Sequence, residues 1–353
     1  MSTPVLSRKS LLQAIETPAP VLPFLILALD IAVFTGGSAL ALLAMNVGLK
    51  LVGTMLIAVG IVRLFLVGHE ACHGSFFATQ GLNNVLGRLA FLPSLTAFSL
   101  WDVGHNVAHH GFNNLKGRDQ VWTPFSKPEY DGLPRHRQFM ERLYRCGFGC
   151  GFYYLVELWW RKLYFATRKE IGSARVKYKL DSALVTVGAA AWVAAVAAVS
   201  RYTHQDFWLL AALAIAVPFA LWNCIIGFVV FVHHTHPTIA WFQKRQEWQS
   251  CRAYLGATAN VRLPFGIDRL MHNIMEHNAH HVNPRVSMFA LRGSQGQLHE
   301  RAAGEFLSYR LGWISYMNCV RRCKLYDYVN HTWLDWQGRV TAQVSPAFAV
   351  PVP

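Results

Sequence analysis

Apolar residues in this chain are gathered into long runs separated by short polar turns. From Val21 to about Met45 the single charge is Asp30. At about 1.5 Å per helical residue such a run crosses a hydrocarbon core of about 30 Å. After the turn Asn46–Lys50, a second run from Leu51 to Val67 leads back and ends at His69. Two more runs, Ala183 to Ser200 and Phe207 to Val232, flank the loop Arg201–Asp206 and make a second hairpin. Residues 85–101 are apolar but short and carry Pro93, the pattern of an interfacial or re-entrant segment. The pattern predicts an all-α membrane protein: four transmembrane helices in two hairpins, with a cytoplasmic helical cap. It divides the chain into a polar leader (1–20), a membrane domain with most of the cap (21–290) and the C-terminal part of the cap (291–353).

Composition narrows the class. With 53% hydrophobic and 15% charged residues the chain is too apolar for an ordinary soluble enzyme, and too polar for a bare channel bundle. The formal net charge of +14 raises nucleic acid as a partner, but no helix-turn-helix, zinc-finger or RNA-binding pattern accompanies it. The basic stretch 111–181 between the hairpins fits the positive-inside rule instead and places itself, and both chain ends, in the cytoplasm. Within it Phe152–Phe165 mixes aromatic and basic residues, as a helix at headgroup level does. The leader has Arg8 and Lys9 and no apolar core of signal-peptide length. Seven cysteines without a C-x-x-C pair read as reduced packing thiols. Gly147, Gly149 and Gly151 do not match G-x-G-x-x-G and follow no clear strand, so no nucleotide site is read there.

Histidine supplies the chemistry. Of sixteen histidines, half fall in three short windows: His69 and His73; His105, His109 and His110; His277, His280 and His281. At about 100° per residue each window puts its imidazoles on one side of a helix. The topology brings all three windows to the cytoplasmic mouth of the four-helix bundle, a coincidence that solvated helix ends do not predict. The fourth run ends in His233-His234-Thr235-His236-Pro237 and offers further ligands, whereas His299 and His331 read as surface or packing residues.

Imidazole suits several metals, so ligand type alone does not choose among iron, zinc, copper and nickel. Number is more telling. A catalytic zinc takes about three protein ligands, so eight or nine histidines fit two ions. His69-Glu70-Ala71-Cys72-His73 also matches H-E-x-x-H, and an intramembrane zinc metalloprotease using His69, Glu70 and His73 is the alternative from another class. It leaves six clustered histidines without a role. A haem carrier, needing one or two axial histidines, leaves more.

With its three boxes in this order and a membrane hairpin between the second and third, the chain resembles the integral-membrane fatty acid desaturases, and among them the acyl-lipid group that includes plant oleate desaturases. There the segment before the last box reads Gln-His-Thr-His-Pro, matched here by His233–Pro237. The likeness continues from Asn113 to Asp119 and covers most of residues 60–290. It implies two iron ions held by His69, His73, His105, His109, His110, His277, His280 and His281, with His234 as an auxiliary ligand. Gly74 stands where the plant enzymes have a further histidine, and three residues, not two, follow His105 before His109. Both departures bear on substrate and regiochemistry. Glu70, Asp119 and Glu276 are candidate acceptors that would orient imidazole N–H groups.

The resemblance implies oxygen-dependent insertion of a double bond into a fatty acyl chain, with acetylenase or hydroxylase chemistry of the same superfamily as the alternative. The acyl chain could ride on lipid, coenzyme A or a carrier protein. Electrons would come from an external ferredoxin-like or cytochrome partner, since the sequence has no flavin, nicotinamide or fused haem motif. A basic cap would steer an acidic donor or attract anionic membrane lipid.

Overall fold

The four apolar runs are four long helices, each ended by the polar turn beside it. In a computed structural model, which describes residues 20–167 and 175–344 together with Leu12 and Ile171, they span α1 (Leu22–Leu43), α2 (Val47–Cys72), α4 (Arg175–Thr203) and α5 (Phe207–His234). All four are long and apolar enough to cross a membrane. The turns carry the caps that start the returning helices. Asn46 Oδ1 accepts from Leu49 N at 3.1 Å, and Asp206 Oδ1 accepts from Leu209 N at 2.7 Å, satisfying N–H groups that a helix start leaves open. The leader, apart from Leu12 and Pro20, lies outside the described residues.

The chain falls into two compact units, one from residues 18–104 and 151–227, the other from 105–150 and 228 onward. In the first, α1 and α2 pack antiparallel at close range. A Cβ on Gly53 would stand 2.4 Å from Ala41 N, and one on Gly60 would stand 2.9 Å from Phe34 Cα, so only glycine allows this approach. Asp30 in α1 and Arg63 in α2 pair at 2.5 Å, which is how ionisable groups persist in an apolar run. Phe65 gathers Phe91, Trp101 and Trp222 around it. The short apolar segment is broken at Pro93: α3 (Gln80–Phe91) gives way to a 3-10 turn, Leu92–Ser94, and Leu95 turns left-handed at φ 51°. Arg88 then meets Asp181 of α4 at 2.6 Å.

The second unit departs from the all-α expectation. It contains a parallel pair, β1 (Ala259–Arg262) with β2 (Leu307–Arg310), and an antiparallel sheet of β3 (Leu325–Asp327), β4 (Thr332–Leu334) and β5 (Val340–Gln343). Strands of three or four residues are too short for alternation to show in a sequence window, which is why the pattern missed them. Their core joins Trp241, Phe242, Tyr326 and Trp333. Trp333 Nε1 donates to Ile239 O at 3.3 Å, and Arg145 donates to the carbonyls of Trp122 and Cys323 at 3.1 and 3.3 Å. All seven cysteines are thiols outside any disulfide, and Cys72, Cys150, Cys319 and Cys323 are buried.

Candidate metal centre

Between Asp102 and His109 the chain winds as a π-helix, and His110 N bonds His105 O at 2.9 Å. The wider turn decides where the second window's imidazoles go. His105 and His110, five apart, bring their Nε2 atoms to 3.1 Å, and the ring of His280 lies 4.7 Å from that of His110. His109 points elsewhere, to rings at 4.5 Å (His234) and 4.9 Å (His281). Two nests result within this unit. One contains His105, His110 and His280; the other contains His109, His234, His277 and His281, with a ligand nitrogen of each within 4.8 Å of the others. The adjacent pairs His109-His110 and His280-His281 each divide between the nests, since neighbouring helical side chains diverge.

The donor atoms fit a metal. His277 Nε2 lies 3.0 Å from His234 Nε2 and 3.1 Å from His281 Nε2. These spacings, with the donor atoms of all four residues of that nest within 4.8 Å of one another, fit nitrogens gathered about one ion. Burial, reinforced by the neighbouring imidazoles, holds His277 and His281 well below the ordinary histidine range. Both are therefore neutral at pH 7 and have a lone pair to give. Among the described residues His277 Nδ1 has no hydrogen-bond partner.

Carboxylates orient the rings, as expected at two of three positions. Asp119 Oδ1 meets His109 Nδ1 at 3.0 Å, while its two oxygens also accept from Val121 N and Asn114 N at 3.0 and 2.8 Å. That places the His109 proton on Nδ1 and leaves Nε2 for the nest. In the other unit, at the end of α2, the rings of His69 and His73 lie 4.7 Å apart. Glu70 Oε1 meets His69 Nδ1 at 3.2 Å, and its Oε2 accepts from Ser75 at 3.1 Å. This buried carboxylate is placed to orient an imidazole, which counts against its use as the water-activating base of a protease. Glu276 departs from expectation. Its carboxylate faces Arg292 at 3.8 Å and accepts from the Asn260 amide at 2.9 Å, and burial raises its pKa.

Sequence reasoning did not find the residues that clamp the boxes together. Asn113, just past the second box, donates to Ala253 O and Ala257 O at 3.3 Å, and Asn278, inside the third, donates to Leu255 O and Thr258 O at 2.9 Å. One segment, 253–258, thus holds both boxes; buried asparagines beside ligand histidines were the available signal. His236 lies outside both nests, its Nδ1 bonded to Thr238 at 2.8 Å, and so do His299 and His331. His233 is fully buried and stacks on His277 at 3.8 Å, and neither ring nitrogen has a hydrogen-bond partner among the described residues. In the first unit, Leu27, Phe34, Leu64, Pro93, Trp192 and Phe219 are among the walls of an apolar cavity of about 540 Å3.

Known proteins give this geometry its family. The sequence profile of the family described as fatty acid desaturase matches residues 47–316. The chain is 27% identical to the sn-1 oleoyl-lipid 12-desaturase of Picosynechococcus sp. over 271 residues, 74% of this chain and 73% of that one. It is 28% identical to the enzyme of that name from Synechocystis sp., over 74% of this chain and 72% of that one. It is 26% identical to the chloroplastic omega-6 fatty acid desaturase of Glycine max, over 76% of this chain and 60% of that one. The profile match takes in every histidine of both nests and of the first box, together with most of the chain around them, and on that ground the chain belongs to the fatty acid desaturase family.

Proposed function

We propose that this enzyme is an oxygen-dependent di-iron desaturase that inserts a double bond into a fatty acyl chain carried by a membrane lipid. The observation that carries the reading is the division of two histidine pairs between two nests, which suits two ions and leaves the one-ion protease without an explanation for them. The lipid carrier is supported by the relatives named as oleoyl-lipid desaturases. We take nine histidines as ligands: His69, His73, His105, His109, His110, His234, His277, His280 and His281. His69 and His73 are assigned by their match to the family's first box. Two irons held by these residues would supply the oxygen activation that removes two neighbouring hydrogens from an unactivated chain.

The protein's own part is positioning. Asp119 and Glu70 hold imidazoles in one tautomer, and the asparagine clamps fix the boxes against one backbone segment. An acyl chain must be held with one pair of carbons at the centre, because alignment selects the bond. The apolar cavity, within the range of about 300–1,000 Å3 usual for ligand sites, is our candidate for part of the chain's path. Electrons come from an external acidic donor protein. The four long helices cross the membrane as two hairpins, with the boxes and both chain ends on the cytoplasmic side. Expression in a host supplying a ferredoxin, followed by mass spectrometry of fatty acid methyl esters, tests the reaction. A product two hydrogens lighter supports it. A product one oxygen heavier would move the chain to the hydroxylases, and an unchanged profile with donor and dioxygen present would remove the acyl substrate.

A further inference from the structure

Parallel pairing of β1 with β2 sets Arg262 directly beside Arg310. Like charges in register are unfavourable unless something of opposite sign stands between them. Among the described residues no carboxylate lies within ion-pair distance of either arginine or of Arg269, though Glu276 stands near enough to feel the charge of Arg262; Arg292 reaches Asp268 at 3.5 Å and Glu276 at 3.8 Å. These six side chains line one cavity of about 790 Å3. Four guanidinium groups against two carboxylates leave an excess of two positive charges. The turn that supplies Arg269 also exposes apolar side chains. Phe265 is held left-handed at φ 59° and is 95% exposed, and Leu270 is 61% exposed. A bulky residue held in that backbone region is costly and marks a turn fixed for a purpose.

Arginine forks match phosphate oxygens in pairs, and exposed aromatic and aliphatic tips beside basic side chains are the surface of a protein resting at lipid headgroups. A concave, arginine-lined site rimmed by apolar tips suits a headgroup better than the broad acidic face of a donor protein. We propose that this cavity binds the phosphodiester headgroup of a membrane phospholipid. Glu276, in the cavity wall, directly precedes His277, so a lipid held here is anchored one residue from the histidine nest. That the anchored lipid is also the substrate rests on the acyl-lipid reading above.

The test uses the full chain, purified in detergent and examined by native mass spectrometry for retained lipid. Phosphatidylglycerol and a phosphate-free monogalactosyldiacylglycerol with the same acyl chains are offered in turn, and iron is measured on the same samples. Wild type should retain phosphatidylglycerol about tenfold better than Arg262→Gln/Arg310→Gln, with Arg262→Lys/Arg310→Lys between them, and should not retain the galactolipid. Arg269→Gln, on the exposed turn, should lose part of the retention and serves if the double variant does not accumulate. Equal retention of the galactolipid, or unchanged retention by the glutamine variants, overturns the proposal. So does binding of inorganic phosphate without lipid, or a glutamine variant that keeps its lipid but loses turnover with the donor protein. Retained lipid on a wild-type protein that takes up no iron would strike the desaturase reading and leave the headgroup site standing.

Discussion

Asp119 controls His109 through one 3.0 Å contact while two backbone N–H groups hold the carboxylate in place. Asp119→Asn keeps the shape and removes the charge that fixes the tautomer. We expect iron affinity to fall about 10–100-fold, read by iron titration of the purified protein, with the helices still folded by circular dichroism. His233 makes the opposite case. Its ring stacks on His277, yet neither nitrogen has a hydrogen-bond partner among the described residues. His233→Phe keeps the stacking face and removes two buried polar atoms, so iron content and activity should persist. Loss of iron in that variant would make His233 a ligand. Alanine at His110 or His281 should abolish both iron binding and turnover, whereas alanine at His331, outside both nests, should leave them intact.

Elements set what single residues can reach. The π-turn over Asp102–His109 brings His105 and His110 together across five residues and sends His109 to the other nest. A regular α-helix would pair His105 with His109 instead. Between α1 and α2, the Asp30–Arg63 pair is buried along with the glycine contacts. Removing one partner leaves an uncompensated charge: Asp30→Leu should cost about 3–5 kcal/mol, and Asp30→Leu/Arg63→Leu should recover most of it. Thermal unfolding in nanodiscs of both variants measures the difference. If the two unfold alike, the pair contributes nothing and the glycine packing alone holds the helices.

At the scale of the whole molecule the predictions concern the membrane and the metal. Cysteine introduced at Val47 or Tyr202, both exposed beside the turns, should label from outside intact cells, and cysteine near Gly117 should not. Labelling of Gly117 from outside would overturn the cytoplasmic placement of the second box. Metal binding to the folded state alone stabilises it by mass action, so chelation should lower the Tm of the wild type and leave that of His281→Ala unchanged.

The sequence by itself determined the four membrane-length helices, the turns 46–50 and 201–206 beside them, the histidine windows and the family, because each is written in length, hydropathy or local spacing. It also marked Asp119 and Glu70, which lie close in the chain to the histidines they hold. Only the tertiary structure decided how the windows divide, which carboxylate turns away, and what clamps the boxes. Dividing His109 from His110 depends on a π-turn whose extra residue leaves no hydropathy signal. Glu276 turns to Arg292, and the segment 253–258 meets Asn113 across more than a hundred residues. The short strands that align Arg262 with Arg310 are likewise fixed by pairing between distant segments. Periodicity reads a chain against its own helix or strand and carries no record of a partner that far away.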